Sequence, residues 1–168
     1  MVRAEDQACA VAHGVAGQEV TARVLVAVFA SPVAAYLLKF GGDLGYRTVL
    51  VEPDAERAAG VPGARTSMPE LDETTDLVVT DHHRPELGEL LRDALAYPAR
   101  WLGVLGNPRH PGPHVEALTA LGVGDEQIAR VHRPVGLNIG SRTPPEIAIA
   151  TLAGLIADRN GRPGGFEF

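Results

Sequence analysis

Val24-Leu25-Val26-Ala27-Val28-Phe29 runs directly into Ala30-Ser31-Pro32-Val33-Ala34, and this junction decides the fold. Six consecutive apolar residues, half of them valine, describe a strand buried on both faces, as in a parallel sheet, rather than the alternation of a half-exposed strand. Ser31 supplies an N-cap and Pro32 a first-turn proline; Val33, Leu37, Leu38 and Leu44 then recur at helical spacing until Gly45. A buried strand turning at once into a capped helix is the opening unit of an α/β domain.

The same alternation continues along the chain. Residues 46–51 form a second valine-rich strand closed by Glu52 and Pro53, and a polar stretch follows, with a short third strand expected near residues 64–67. Buried strands at 76–80 and 101–105 flank a helix at 85–96 with its leucines on one face. After the proline-rich residues 107–113 come a helix at 114–121, a glycine turn, a short helix to Arg130, and a long helix from Pro144 to Arg159. Strands and helices in this order give a doubly wound parallel sheet with helices on both faces and sites at the carboxyl ends of the strands. Residues 1–22 read as an N-terminal arm, 23–160 as the domain and the Gly/Pro-rich 161–168 as a flexible tail.

Composition narrows the function. With 168 residues the chain fits one domain, and its net charge of -6 and sequence pI near 5.5 leave no clustered basic surface for nucleic acid or anionic membrane. The apolar run 147–157 is too short to span a bilayer, for which ~20 residues are needed. A single cysteine, Cys9, cannot pair internally, and the N-terminus does not resemble a signal peptide, so a cytoplasmic location is expected. Cys9 is given no role.

In a dinucleotide-binding fold the first turn is glycine-rich, so that pyrophosphate can approach the helix N-terminus. Here Phe29 and Ser31 stand where the first two glycines would be, which argues against conventional NAD(P) binding, while Glu52 lies at the right distance to bond ribose hydroxyls or is simply an exposed acid at a strand end. Asp81, His82 and His83 follow the middle strand and place acid, base or ligand groups at the productive edge. Adjacent histidines on an extended chain point to opposite sides, so a shared metal is not expected. His110 and His114 are four apart, but Pro111 and Pro113 break the helix that would align them, and the pair reads as a coincidence of loop sequence. Gly103, Gly106 and Asn107 form a glycine turn whose amides could face a ligand, with Arg109 as a nearby cation, or merely a tight turn.

The richest segment is His132-Arg133-Pro134-Val135-Gly136-Leu137-Asn138-Ile139-Gly140-Ser141-Arg142-Thr143-Pro144-Pro145-Glu146. Thr143 and Glu146 make a capping box around Pro144, and the helix they start is expected to aim unpaired amides and its positive end at the preceding loop. Arg142 adds a planar cation, and Gly136 and Gly140 permit close backbone approach. An anion site is expected there.

These residues resemble a known family. Arg100-Trp101-Leu102-Gly103-Val104-Leu105-Gly106 and residues 132–148 are similar to the C-terminal Rossmann-like domain of the xanthine dehydrogenase accessory factors, the XdhC/CoxI proteins, whose signature reads PVGLxIGxRTPxEIA. The resemblance runs from about Val24 to Arg159. It implies a non-enzymatic chaperone that binds molybdenum cofactor (molybdopterin), supports its sulfuration and helps insert it into a molybdenum hydroxylase such as xanthine or carbon monoxide dehydrogenase. It also implies a homodimer, and places cofactor over Gly103, Gly106, Gly136, Gly140 and Arg142. Three departures stand out. The family's GAGHVA-like first turn keeps only Val33 and Ala34, its Thr-His-Asp-His becomes Thr80-Asp81-His82-His83, and its additional N-terminal domain has no counterpart in these residues, which suggests a separate partner. Two other functions compete: an NAD(P)-dependent oxidoreductase using Glu52 with His82 or His83 as proton donor, and a degenerate docking or dimerisation module.

Overall fold

The structure, a computed structural model, describes residues 11–13 and 22–165. Cys9 and most of the expected N-terminal arm lie outside the described residues. Five parallel strands form one sheet: β1 (Val24–Val28), β2 (Arg47–Val51), β3 (Thr75–Val79), β4 (Trp101–Val104) and β5 (Val131–His132), in the spatial order β2-β1-β3-β4-β5. The helices are α1 (Pro32–Asp43), α2 (Ala55–Ala59), α3 (Leu87–Leu95), α4 (Pro113–Ala120), α5 (Asp125–Ile128) and α6 (Pro144–Arg159).

The pleat sorts the valine runs onto two cores. Val24, Val26 and Val28 of β1 face the side covered by α3, α4 and α5, where Leu77, Leu91, Leu102 and Leu118 also gather. Leu25 and Ala27 face the other side, against Ala34 and Leu37 of α1 and Ala148, Leu152 and Leu155 of α6. Burial on both faces is what the unbroken apolar runs demanded. The chain is thus a Rossmann-like α/β domain.

Two expectations are corrected at the sheet margins. The third strand expected at residues 64–67 is reduced to one parallel bridge between Val51 and Arg65, although Arg65 still exchanges hydrogen bonds with Leu50 and Glu52. Counted as a rudimentary strand, it completes the doubly wound order outside β2. At the other edge lies β5, which sequence reading did not anticipate. Two residues carry too little pattern to be seen, and they pair only with Leu102 and Gly103.

At the amino ends of the strands the sheet is tied to the last turn of α6. Arg100 bridges the buried carboxylate of Asp76 (2.5 Å) and Asp158 (2.7 Å), and Tyr46 donates to Asp76 (3.1 Å). Burial, and then the charge of Asp76, push the Tyr46 hydroxyl above its ordinary range. Gly103 has a structural task nearby: a Cβ on it would collide with the Trp101 ring, which folds across the strand and stacks on His132 at 5.0 Å.

Candidate functional site

The turn after β1 keeps the backbone shape of a phosphate-binding turn but fills it from within. Phe29 adopts φ 72°, a left-handed conformation favoured by glycine, and its side chain is fully buried. The amide of Ala30 donates to Glu52 Oε2 (2.8 Å), and Asp54 donates to Oε1 (3.0 Å). Arg84 closes a two-pronged pair on the same carboxylate (3.1 and 2.9 Å) and sets its guanidinium 4.6 Å from the Phe29 ring centroid. Burial alone would raise the Glu52 carboxyl. The hydrogen bonds from Arg84, Ala30 and Asp54 outweigh it and hold the group below its ordinary value.

Ser31 is equally committed. Its hydroxyl accepts from Ala34 (3.0 Å) as the α1 cap and lies 2.8 Å from Thr80 Oγ1, which is also 2.9 Å from the Phe29 carbonyl oxygen. Glu52 is therefore neither free for a ribose nor an exposed acid, the two readings that the sequence left open. Its carboxylate occupies an amide of the turn that would otherwise hold pyrophosphate.

The start of α6 also differs from expectation. Its amides are not unpaired: Glu146 accepts from Arg142 (2.7 Å) and Thr143 (3.1 Å), while Thr143 caps the N3 amide in return. Pro144 and Pro145, the next two residues, have no N–H to offer. The capping box that starts the helix thus uses the donors an anion would need. Arg142, Thr143, Asn138 and Gly140 are exposed, and Gly140 has φ 69° with open space where a Cβ would stand. Gly136 (φ 88°) serves packing instead, because a Cβ there would lie 3.0 Å from the Ala150 backbone of α6.

The structure gathers polar groups elsewhere, at the carboxyl ends of β3, β4 and β5. A cleft of about 510 Å³ is lined by His82, His83, Asn107, His110 and Arg133, with Pro111 and Pro113 in its wall. Arg133 is pinned by the carbonyls of His110 (2.8 Å) and Asn107 (3.1 Å), and its Nε is buried without a partner. Gly106 makes this seat: a Cβ there would strike the guanidinium. Asp81 accepts from the His83 amide (2.9 Å), and Asn107 accepts from the Arg109 amide (3.0 Å), so both serve loop geometry while Arg109 is exposed. Burial, then the neighbouring His83, hold the His82 imidazole below its ordinary range.

No helix carries both His110 and His114, as the prolines demanded, because α4 starts only at Pro113; the pair is nevertheless no coincidence of loop sequence, since both line one pocket, with His114 buried and its Nδ1 unpartnered. Of the residues expected to act together, His82, His83, Gly106 and Asn107 converge; Ser31 and Glu52 lie in the filled first turn, and Arg142 with its neighbours stands apart at α6. Arg84 and Arg133 were not singled out, and His110 and His114 had been set aside as a coincidence of loop sequence. Arg133 carried a signal, lying immediately after a buried valine and a histidine within the richest segment. Among the described residues no cluster of three or more His, Cys, Asp or Glu is placed to hold a metal ion, and no helix is long and apolar enough to cross a membrane.

Comparison with known proteins places this geometry. Residues 25–155 match the model of the XdhC Rossmann domain. Over 77 residues, 46% of this chain, the sequence is 44% identical to the uncharacterized protein YqeB of Escherichia coli (strain K12), of which it spans 14%. A crystal structure of a xanthine dehydrogenase from Bacillus halodurans shares the fold, with a TM-score of 0.63 and 22% identity over 87% of this chain and 45% of that one. The chain therefore spans less than half the length of either relative.

Proposed function

Because the chain belongs to the XdhC family through its Rossmann domain, we propose that it is an accessory factor that holds the anionic molybdenum cofactor for maturation of a molybdenum hydroxylase, such as a xanthine or carbon monoxide dehydrogenase. The observation that carries this reading is Arg133, a cation fixed by two backbone carbonyls in the wall of the 510 Å³ cleft. That volume falls within the ~300–1,000 Å³ of small-molecule sites. A fixed guanidinium beside three imidazoles and the Asn107 amide suits an anionic, hydrogen-bonding ligand, so the residues present fit the group.

Arg133, Asn107, His82, His83 and His110 would hold the cofactor, which when bound supplies the redox centre of the client. The chain itself binds and orients. Arg133 is set before any ligand arrives because two backbone carbonyls fix its plane, which lowers the ordering cost of binding. The imidazole of His82, held below its ordinary range by burial and by His83, favours its neutral form and adds hydrogen-bonding capacity without fixed charge.

A nicotinamide-dependent oxidoreductase is the second reading, and the first turn disfavours it. A ribose would have to break the buried Glu52–Arg84 pair, and a pyrophosphate would have to displace Glu52 from Ala30. A docking module is the third. The test is anaerobic titration of the protein with molybdenum cofactor, with NAD and NADP in parallel, for wild type, Arg133→Ala and Arg142→Ala. Micromolar cofactor binding that weakens about tenfold (1.4 kcal/mol) in Arg133→Ala and holds in Arg142→Ala supports the reading. Nicotinamide binding alone moves the assignment to the oxidoreductase, and binding of neither leaves the docking module. The hydroxylase client, homodimerisation and a cytoplasmic location belong to the same proposal; co-purification and light scattering test the first two.

A further inference from the structure

Behind Arg133 lies a second, smaller pocket of about 240 Å³, lined by Pro108, His110, Gly112, His114, Val115 and Arg133. We propose that it is a subsite for a tetrahedral oxyanion, held between the Arg133 guanidinium and His114 Nδ1 beside the N-terminus of α4. The proposal rests on reading the adjoining cleft as an anion site, and it adds which group of the ligand is gripped and by which atoms.

Two observations, independent of each other, carry it. First, His114, only 5% exposed, keeps its Nδ1 buried without a hydrogen-bond partner in the lining of this pocket, and the Arg133 guanidinium shares that lining, with Nη1 on the side of Gly112. Leaving a buried polar group unpaired costs ~1–3 kcal/mol, so an unpaired imidazole nitrogen beside a fixed cation marks a place suited to an acceptor. Second, the helix start beside them lacks a side-chain cap: whereas α1 is capped by Ser31 and α6 by Thr143, the N-cap of α4 is Gly112, and with Pro113 lacking an N–H and Val115 donating to the Gly112 carbonyl (3.1 Å), the His114 amide is the donor of the first turn left for a ligand. Gly112 is needed for another reason as well: a Cβ there would lie 2.5 Å from His114 Cε1, 2.8 Å from its Nδ1 and 3.4 Å from Arg133 Nη1. Glycine lets the imidazole and the guanidinium converge beside the helix end.

The electrostatics agree. Burial, and then the charge of Arg133, hold the His114 imidazole below its ordinary range. Among the described residues, the other titratable group lining the pocket is His110, and no carboxylate lines it. An oxyanion seated there offsets the Arg133 charge and gives Nδ1 an acceptor, so its binding must favour the protonated imidazole and tighten as pH falls. Phosphate monoester and free inorganic oxyanion share this chemistry.

The test uses the whole chain and inorganic phosphate as probe, with phosphate affinity measured by calorimetry and the His114 imidazole followed by NMR, its signal assigned with His114→Gln. Saturable phosphate binding that raises the His114 titration midpoint, and that weakens about tenfold in both His114→Gln and Arg133→Lys, supports the subsite. Arg92→Ala, which removes an exposed charge on α3, should leave affinity unchanged. Absence of a saturable His114 response, or equal affinity in wild type and both variants, overturns the proposal. Competition separates the two sources: phosphate that displaces molybdenum cofactor identifies the cofactor's own phosphate as the occupant, and simultaneous binding identifies a free oxyanion. If phosphate binds at His114 but the cofactor does not bind at all, the subsite stands and the accessory function falls; cofactor binding without any His114 response does the reverse.

Discussion

Removing the Glu52 carboxylate should unfasten the first turn. In Glu52→Ala, Arg84 loses both its hydrogen bonds to that side chain, and the amides of Ala30 and Asp54 lose their acceptor. Breaking one partner of a buried ion pair costs about 3–5 kcal/mol. Arg84 is 11% exposed and keeps Glu86 at 3.1 Å, so the lower end applies, about 3 kcal/mol. For a domain of this size that lowers the thermal midpoint by roughly 6–12 °C. Chemical denaturation at pH 7 measures the loss directly. The sign of the pH dependence follows from the depressed Glu52 carboxyl: its contribution is full above the unfolded-state value and is lost as pH falls through the lower folded value. Wild type should therefore lose stability on the acid side more steeply than Glu52→Ala. The double variant Glu52→Gln with Arg84→Met leaves no fully buried charge unpaired, Glu86 being one-third exposed (33%), and should recover to within about 1 kcal/mol of wild type. A loss below about 1 kcal/mol in Glu52→Ala, or identical acid limbs, would refute the assignment of this pair as the internal filling of the turn.

Three further outcomes are expected. Gly136→Ala, which puts a Cβ into the Ala150 backbone at a left-handed φ of 88°, should lose about 2 kcal/mol in thermal or chemical unfolding. Glu146→Ala should speed hydrogen exchange at the Arg142 and Thr143 amides, the two it accepts from, while exchange in the middle of α6 stays slow. Gly106→Ala should displace the Arg133 guanidinium and weaken anion binding about tenfold, read by calorimetry, with far-UV circular dichroism unchanged.

The frame was legible because burial on both faces leaves a pattern in the chain itself. Val24 to Val28 carried β1, Pro144 carried the start of α6, and Ser31 carried the cap of α1. Elements set by neighbours distant in sequence were not legible. The two residues of β5 are strand only because Leu102 and Gly103 lie beside them, and Glu52 is buried only because Arg84, 32 residues later, comes to it. The site was legible in part. His82, His83, Gly106 and Asn107 followed from the rule that loops at carboxyl ends of parallel strands converge. Arg133 required knowing that a loop from β4 would offer it two carbonyls. One misreading had a local signal: Pro144-Pro145 already removed the amides expected at α6.

The filled first turn has a consequence for how the domain behaves as a receptor. A turn that closes on an external phosphate has an empty and a loaded form, and much of what such folds do rests on passing between them. Here the anion is a side chain of the same molecule, so that half of the domain is born loaded and has no vacant form to visit. Any change of shape on meeting a ligand is left to the loops following β3, β4 and β5, which move against a frame that answers to folding and acidity rather than to occupancy.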